Sequence, residues 1–241
     1  AAAQGLVAGI NAALSVLGKP PLILPRSGSY IGTLIDDLVT RGTNEPYRMM
    51  TSRSEFRLLL RQDNADLRLT PTGYACGLIP EERYRAFLRK REQEQSEKAR
   101  LEATFLSPEK VNPLLTSWGM DPVVSGVSLA DLLRRPGVTY AALAPLDPAP
   151  PSLPLAVCHT VETDVKYAGY IRRELAEVDR QKKLESKSLP PDLPYSSIRG
   201  LRLEAAQKLA AHKPLTVGQA SRISGVSPAD ISVLLLYLGL R

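Results

Sequence analysis

Three hydroxyl–proline steps constrain this chain most: Thr70-Pro71, Ser107-Pro108 and Ser227-Pro228. A Ser or Thr oxygen can cap the first N–H groups of a helix. Proline suits the first helical position, where its missing N–H is no loss. Each step therefore predicts a helix start, and Ser29 and Pro80 predict two more. Apolar residues around these starts recur at spacings of three and four, while strand-like alternation is scarce. Predicted helices cover residues 1–17 (face Leu6, Ile10, Leu14), Tyr30 to Gly42, Pro71 to Gly77, Pro80 to about Thr104, and Pro108 to Trp118. Further helices are predicted from Ser128 to Arg135, Leu155 to about Lys187, Gly200 to Ala211, Thr216 to Ser224 and Pro228 to Leu238. The fold class is mainly α.

With 241 residues, 44% of them hydrophobic and 23% charged, the chain can build one large or two modest globular domains. The Pro-rich run Pro145 to Pro154 reads as a connector between subdomains. The net charge of +6 permits an anionic partner without demanding one. Cys76 and Cys158 lie far apart and lack metal-ligand spacing, which suits a reducing cytoplasm and excludes a disulfide framework. Cys76 has no activating neighbour and reads as a buried structural thiol. No apolar run approaches the roughly 20 residues of a membrane span, and no secretory leader is expected.

The stretch from Arg41 to Arg68 carries six arginines, Arg41, Arg48, Arg53, Arg57, Arg61 and Arg68, among four acids. Ser52 and Glu55 have the spacing of a capping box, so a helix is expected to start there. On it Arg53, Arg57 and Arg61 would form one stripe beside an apolar face of Phe56, Leu59 and Leu60. A fixed row of guanidinium groups suits a polyanion, because arginine binds phosphate through two parallel hydrogen bonds. The same residues could instead pair with Glu45, Glu55, Asp63 and Asp66 on a solvated surface. The long helix from Pro80 mixes seven bases with six acids on its exposed side, the mark of a salt-bridged surface. On the helix from Leu155, Lys166, Tyr170 and Arg173 share a face that could touch RNA or simply face solvent.

No complete active site is legible. His159 and His212 are isolated, zinc spacing is absent, and no glycine-rich phosphate loop follows a strand. The last two helices, turning at Gly225-Val226-Ser227, resemble a helix-turn-helix, so a stand-alone DNA-binding regulator is the alternative reading. The second helix, however, offers Asp230, Ser232 and Tyr237 and no basic residue. Such a face suits a protein partner better than DNA.

Long motifs resemble the MnmG/GidA family, the tRNA uridine 5-carboxymethylaminomethyl modification enzymes. They are the opening AAAQGLVAGIN, the segment TRGTNEPYRMMTSRSEFRLLLRQDNADLRLT, and the C-terminal KYAGYIRRE and HKPLTVGQASRISGVSPADISVLLLYL. Residues 105 to 160 match least. The resemblance implies the helical C-terminal region of an α/β flavoprotein. Residues 1–28 would be a remnant of the FAD-binding domain, 29–150 a helical middle region with the tRNA-binding motif, and 151–241 a helical partner-binding domain. Gln4, with Ala3 and Gly5, would face FAD, and NADH would reduce the flavin. No metal and no catalytic residue is implied within this stretch. The family works with the GTPase MnmE at the wobble uridine of certain tRNAs, joining a folate-derived methylene to an amine donor. Arg48, Arg53, Arg57, Arg61, Arg68, Lys166 and Arg173 would contact the anticodon stem-loop. Ile231, Leu234, Leu235 and Leu238 would contact MnmE, and a homodimer is expected of the whole enzyme, with no membrane. This stretch alone is expected to be inactive.

Overall fold

A computed structural model describes residues 1–40, 46–151 and 153–239. The expected helix end at Gly42, and Arg41 and Glu45, lie outside the described residues. The chain divides into two compact units. Unit 1 joins residues 1–60 to 173–241, and unit 2 is residues 61–172. Neither cut falls at residue 28 or 150.

Among the described residues the fold is helical, with one two-stranded ribbon. Unit 2 contains α3 (Ala65–Ala75), α4 (Glu81–Ala103), α5 (Pro108–Ser117) and α6 (Leu129–Leu133). Strands β1 (Phe105–Leu106) and β2 (Val127–Ser128) pair antiparallel, with Phe105 opposite Ser128. Helix α7 (Leu155–Glu185) starts in unit 2 and ends in unit 1. The unit 2 core gathers Leu101, Val111, Leu115, Leu129, Leu132 and Leu133 with Val157, Val161 and Val165 of α7. The spacing of those three valines, four residues apart, is the i, i+4 stripe that a helix lays on a core. Farther along α7 Leu175 is 48% exposed, while Val178 is buried again.

Unit 1 contains α1 (Ala2–Val16), α2 (Tyr30–Thr40), α8 (Leu203–His212), α9 (Val217–Arg222) and α10 (Pro228–Tyr237). Its C-terminal core centres on Leu209, Val217, Ala220 and Leu234. A smaller cluster packs Phe56 and Leu60 on Val178. Of the expected α1 face only Leu14 is buried; Leu6 stays 56% exposed.

Side-chain capping fixes four of the helix starts among the described residues. Ser29 Oγ accepts from Gly32 N at 3.0 Å, Ser128 Oγ from Asp131 N at 3.0 Å, and Thr216 Oγ1 from Gln219 N at 3.0 Å. Ser227 and Asp230 form a reciprocal capping box ahead of Pro228. Ser107-Pro108 opens α5 with proline in the first turn. Thr70-Pro71 does not open a helix. Helix α3 begins six residues before Pro71 and carries it inside. There the proline removes one backbone hydrogen bond, but the surrounding turns hold. Helix α8 starts at Leu203, later than expected, and stops at Lys213, whose backbone is left-handed (φ 46°).

Two further expectations are corrected. Cys76 is half-buried, whereas Cys158 is the buried thiol. Glu94 and Glu97, read as part of the solvated side of α4, are interior at 2% and 3% exposure. Glu97 is held there by Tyr140 Oη, which donates to it at 2.6 Å, and by Arg100 at 2.7 and 2.8 Å. Burial and this bond push the Tyr140 phenol well above its ordinary pKa.

Candidate nucleic-acid interface

The expected helix over Ser52 to Arg61 does not form. Thr51–Arg53 is a single 3-10 turn, and the chain then runs irregularly through Leu60. The physical reason is competition for Glu55. A capping box needs that carboxylate on the backbone at Ser52, but it accepts from Arg26 Nη2 at 2.9 and 3.1 Å instead. Arg26 is 6% exposed and ends a second, Pro-bounded connector that runs from Gly18 to Arg26. The connector is pressed onto α2 where Gly32 allows it: a Cβ there would lie 2.5 Å from the carbonyl oxygens of Leu24 and Pro25. From this position Arg26 Nη1 donates to Asp36 at 2.9 Å and to Asp37 at 2.7 Å. Burial opposes its charge, but Asp37 and Glu55 outweigh that and raise its pKa.

The irregular segment is pinned along its length. Arg26 Nη2 also donates to the Arg53 carbonyl oxygen at 3.4 Å. Phe56 N donates to Ser54 Oγ at 3.2 Å. The Glu174 carboxylate accepts from Leu58 N at 3.4 Å and Leu59 N at 3.2 Å. Phe56 and Leu60 point inward at 1% and 3% exposure, as the apolar face predicted, with Leu59 packed against them. Arg53 and Arg57 are left facing solvent, on an open cleft of about 1000 Å³ also lined by Met50, Ser52, Leu58 and Glu174.

Tyr47 borders the same segment. Its hydroxyl donates to Asp37 Oδ2 at 2.6 Å, and the Arg53 guanidinium lies 4.7 Å from its ring centroid. Burial, helped by the Asp37 bond, pushes the phenol up to about 12, so it stays protonated at neutral pH. Arg48 is exposed, and among the described residues no ion pair engages Arg48 or Arg57.

With no helix over these residues, the expected helical stripe of Arg53, Arg57 and Arg61 does not exist, and Arg61 belongs to unit 2. Within unit 2 it donates to Asp63 at 3.0 Å and Asp164 at 2.8 Å. Arg68 donates to Asn64 Oδ1 and to the Arg61 carbonyl oxygen, both at 2.9 Å. Lys166 is held by Glu162 at 2.6 Å, one turn away on α7. Arg173 is exposed in unit 1. Sequence reasoning missed Arg26, Tyr47, Asp37 and Glu174. No periodic signal marks them; only Pro25 before Arg26 hints at a fixed backbone there.

At the start of α1, Ala3, Gln4 and Gly5 are all exposed and no side chain caps the helix. In α10, Ile231 and Leu234 are buried in the bundle core, and Leu235 and Leu238 pack against it. The solvent-facing apolar side chains of this helix are instead Leu236 and Tyr237, at 64% and 52% exposure. Among the described residues, no helix is long and apolar enough to cross a membrane, and no group of three or more His, Cys, Asp or Glu is placed to hold a metal ion.

Among the described residues the chain is helical and forms two compact units, with an arginine-lined cleft in unit 1. Two family models match it. One describes the C-terminal helical domain of the tRNA modifying enzyme MnmG/GidA and covers residues 81–175; the other describes its C-terminal helical bundle and covers 177–241. The chain is 56% identical over 239 residues to the tRNA uridine 5-carboxymethylaminomethyl modification enzyme MnmG of Caldicellulosiruptor saccharolyticus, covering 99% of this chain and 38% of that protein. It is 58% identical to the MnmG of Alkaliphilus oremlandii with the same coverage. The GidA structure of Aquifex aeolicus superposes with a TM-score of 0.79 at 42% identity, over 98% of this chain and 37% of that one. The chain belongs to the MnmG/GidA family and spans about 38% of the length of the relatives it matches. The helix-turn-helix regulator reading draws no support from these matches.

Proposed function

We propose that this chain is the tRNA- and partner-contacting part of an enzyme that modifies C5 of the wobble uridine. The observation that carries the reading is the pair Arg53 and Arg57, solvent-facing on a pinned segment of a chain that belongs to this family. Arg48 lies just upstream of them and Arg173 just before Glu174, all within unit 1. Backbone phosphates of the anticodon stem-loop are the proposed ligands; such contacts position an RNA without reading its sequence. Arg61, Arg68 and Lys166 hold local structure in this reading, because their donors are already used within unit 2.

FAD is proposed as the cofactor of the whole enzyme, with NADH as reductant. The residues proposed to face such a group are Ala3, Gln4 and Gly5, all exposed on the first turn of α1. FAD, when bound, would supply the carrier for the one-carbon unit. This chain's share would be to orient it through Gln4 and the helix start. The proposed surface for the GTPase MnmE is the terminal bundle, through Leu236 and Tyr237, with Leu235 and Leu238 at its margin. A homodimer and a cytoplasmic setting are proposed for the whole enzyme.

The deciding experiment is titration of this chain with an anticodon stem-loop RNA at several salt concentrations. Replacing Arg53 and Arg57 by Ala is expected to weaken binding and to flatten the salt dependence by about one unit of slope per lost contact. An unchanged slope would overturn the reading.

A further inference from the structure

We infer that Arg222, in the terminal bundle, is a positioning residue for the Arg53–Arg57 segment, acting through a relay of alternating charges whose two arginines are largely buried and whose end carboxylates, Glu185 and Glu55, reach solvent. The proposal rests on reading that segment as the RNA contact.

Every link lies within unit 1. Arg222 is the last residue of α9, and its side chain is 11% exposed. Its Nη1 pairs with Glu185 at the end of α7. Its Nη2 donates to Asp36 Oδ1 on α2 at 2.8 Å, while its Nε lies 2.8 Å from Asp36 Oδ2 but off the direction of a hydrogen bond. Asp36 is shared, since its Oδ2 also accepts from Arg26 Nη1 at 2.9 Å. Arg26 completes the relay by holding Glu55 and the Arg53 carbonyl oxygen. The order is thus Glu185, Arg222, Asp36, Arg26, Glu55, ending one residue short of Ser54, which anchors Phe56.

Removing one ion from such a row leaves its buried neighbours uncompensated, and they rearrange toward the remaining cation. Asp36, released from Arg222, would draw on Arg26 alone. Arg26 already serves Asp37 and Glu55, so its hold on Glu55 and Arg53 would loosen. Glu185 is itself confined: Thr216 Oγ1 donates to it at 2.7 Å, and a Cβ at Gly218 would fall 2.5 Å from its carboxyl carbon. It therefore cannot follow Arg222 elsewhere, and the bundle end of the relay is fixed.

The test is hydrogen exchange of this chain as Arg222→Gln and Arg222→Lys, with stem-loop RNA affinity measured in parallel. In Arg222→Gln the amides of Arg53, Ser54 and Leu60 should exchange about tenfold faster, inside the usual 5–150-fold span of coupling between sites. Arg222→Lys, which keeps the charge, should restore part of that protection. RNA affinity should fall with it in Arg222→Gln. Because Arg222→Gln could unfold the bundle, Asp36→Asn is the second variant; it cuts the relay but leaves Arg222 on Glu185. Faster exchange confined to α9, with residues 53–60 unchanged, would overturn the proposal. So would global loss of protection in both variants, since the contact would then serve the fold as a whole. If exchange at 53–60 responds while RNA affinity does not, the relay stands and the RNA reading fails.

Discussion

Arg61 Nη2 lies 2.8 Å from Asp164 Oδ1, 103 residues along the chain, and both belong to unit 2. Burial opposes the Arg61 charge, but Asp63 and Asp164 more than offset it and raise its pKa. Arg61→Ala is therefore expected to act on stability, by about 1–3 kcal/mol for lost charge-assisted bonds, and to leave the salt slope of RNA binding unchanged. Urea unfolding and the RNA titration measure the two effects separately. A loss of slope equal to that of Arg57→Ala would put Arg61 back among the phosphate contacts.

Arg26→Met should be the most damaging single change in unit 1. Asp37 is 2% exposed in its side chain and would lose its cation, while the Tyr47 hydroxyl still donates to it at 2.6 Å. Orphaning a buried charge costs roughly 3–5 kcal/mol. Denaturant unfolding of the variant checks this. A loss below about 1 kcal/mol would mean that water reaches Asp37 and screens it.

Asp230 makes the terminal bundle acid-sensitive. Hydrogen bonds from Arg202 and from Ser227 hold its carboxyl well below the ordinary Asp value, against the opposing effect of burial. A depressed folded pKa gives stability that is present above the unfolded value, about 3.9, and lost as pH falls below it. Asp230→Asn should cost on the order of 1–2 kcal/mol at pH 7, as for a lost cap. The gap between the two proteins should close on acidification below about pH 4. A gap that is constant from pH 7 to pH 2 would rule out this linkage.

Gly32→Ala should destabilise unit 1 by about 1–3 kcal/mol, the usual range for forcing atoms into a packed site. The added Cβ would meet two backbone carbonyl oxygens at 2.5 Å, and backbone cannot swing aside as a side chain can. Gly5→Ala, where nothing lies within 4 Å, is the matched control and should be neutral or slightly stabilising. Equal effects from the two changes would show that the connector moves freely on α2.

What the sequence revealed and what it hid divide along physical lines. The caps at Ser29 and Ser227 were legible because a cap is satisfied within three residues. Burial of Phe56 and Leu60 was legible because both are large and apolar. The helix around them was not, since the spacing of Ser52 and Glu55 says nothing of a guanidinium 29 residues upstream of Glu55. Thr70-Pro71 misled for a related reason: helix α3 had already started at Ala65, and a running helix can absorb one proline. Glu94 and Glu97 looked like surface because their same-helix partners, Lys90 and Arg100, sit at spacings that suit a solvated face equally well, and Tyr140, 43 residues beyond Glu97, can be assigned only once α4 is packed. The candidate interface was thus half legible. Its exposed arginines were, but the buried charges that aim them were not.

Unit 1 is built from two ends of the chain, and the contact between Arg222 and Asp36 spans 186 residues. Unit 2 lies wholly between those ends. During synthesis, therefore, unit 2 can close on itself while the partners of α2 have yet to be made. Residues 1–60 must wait, with Arg26 and Asp36 solvated, until α9 leaves the ribosome. Contacts of such sequence separation carry a loop-closure cost that unit 2's contacts, all within residues 61–172, do not reach. The last quarter of the chain thus sets when the arginine segment first takes its shape, and a ribosome that stalls before Arg222 would release a protein with unit 2 folded and unit 1 still open.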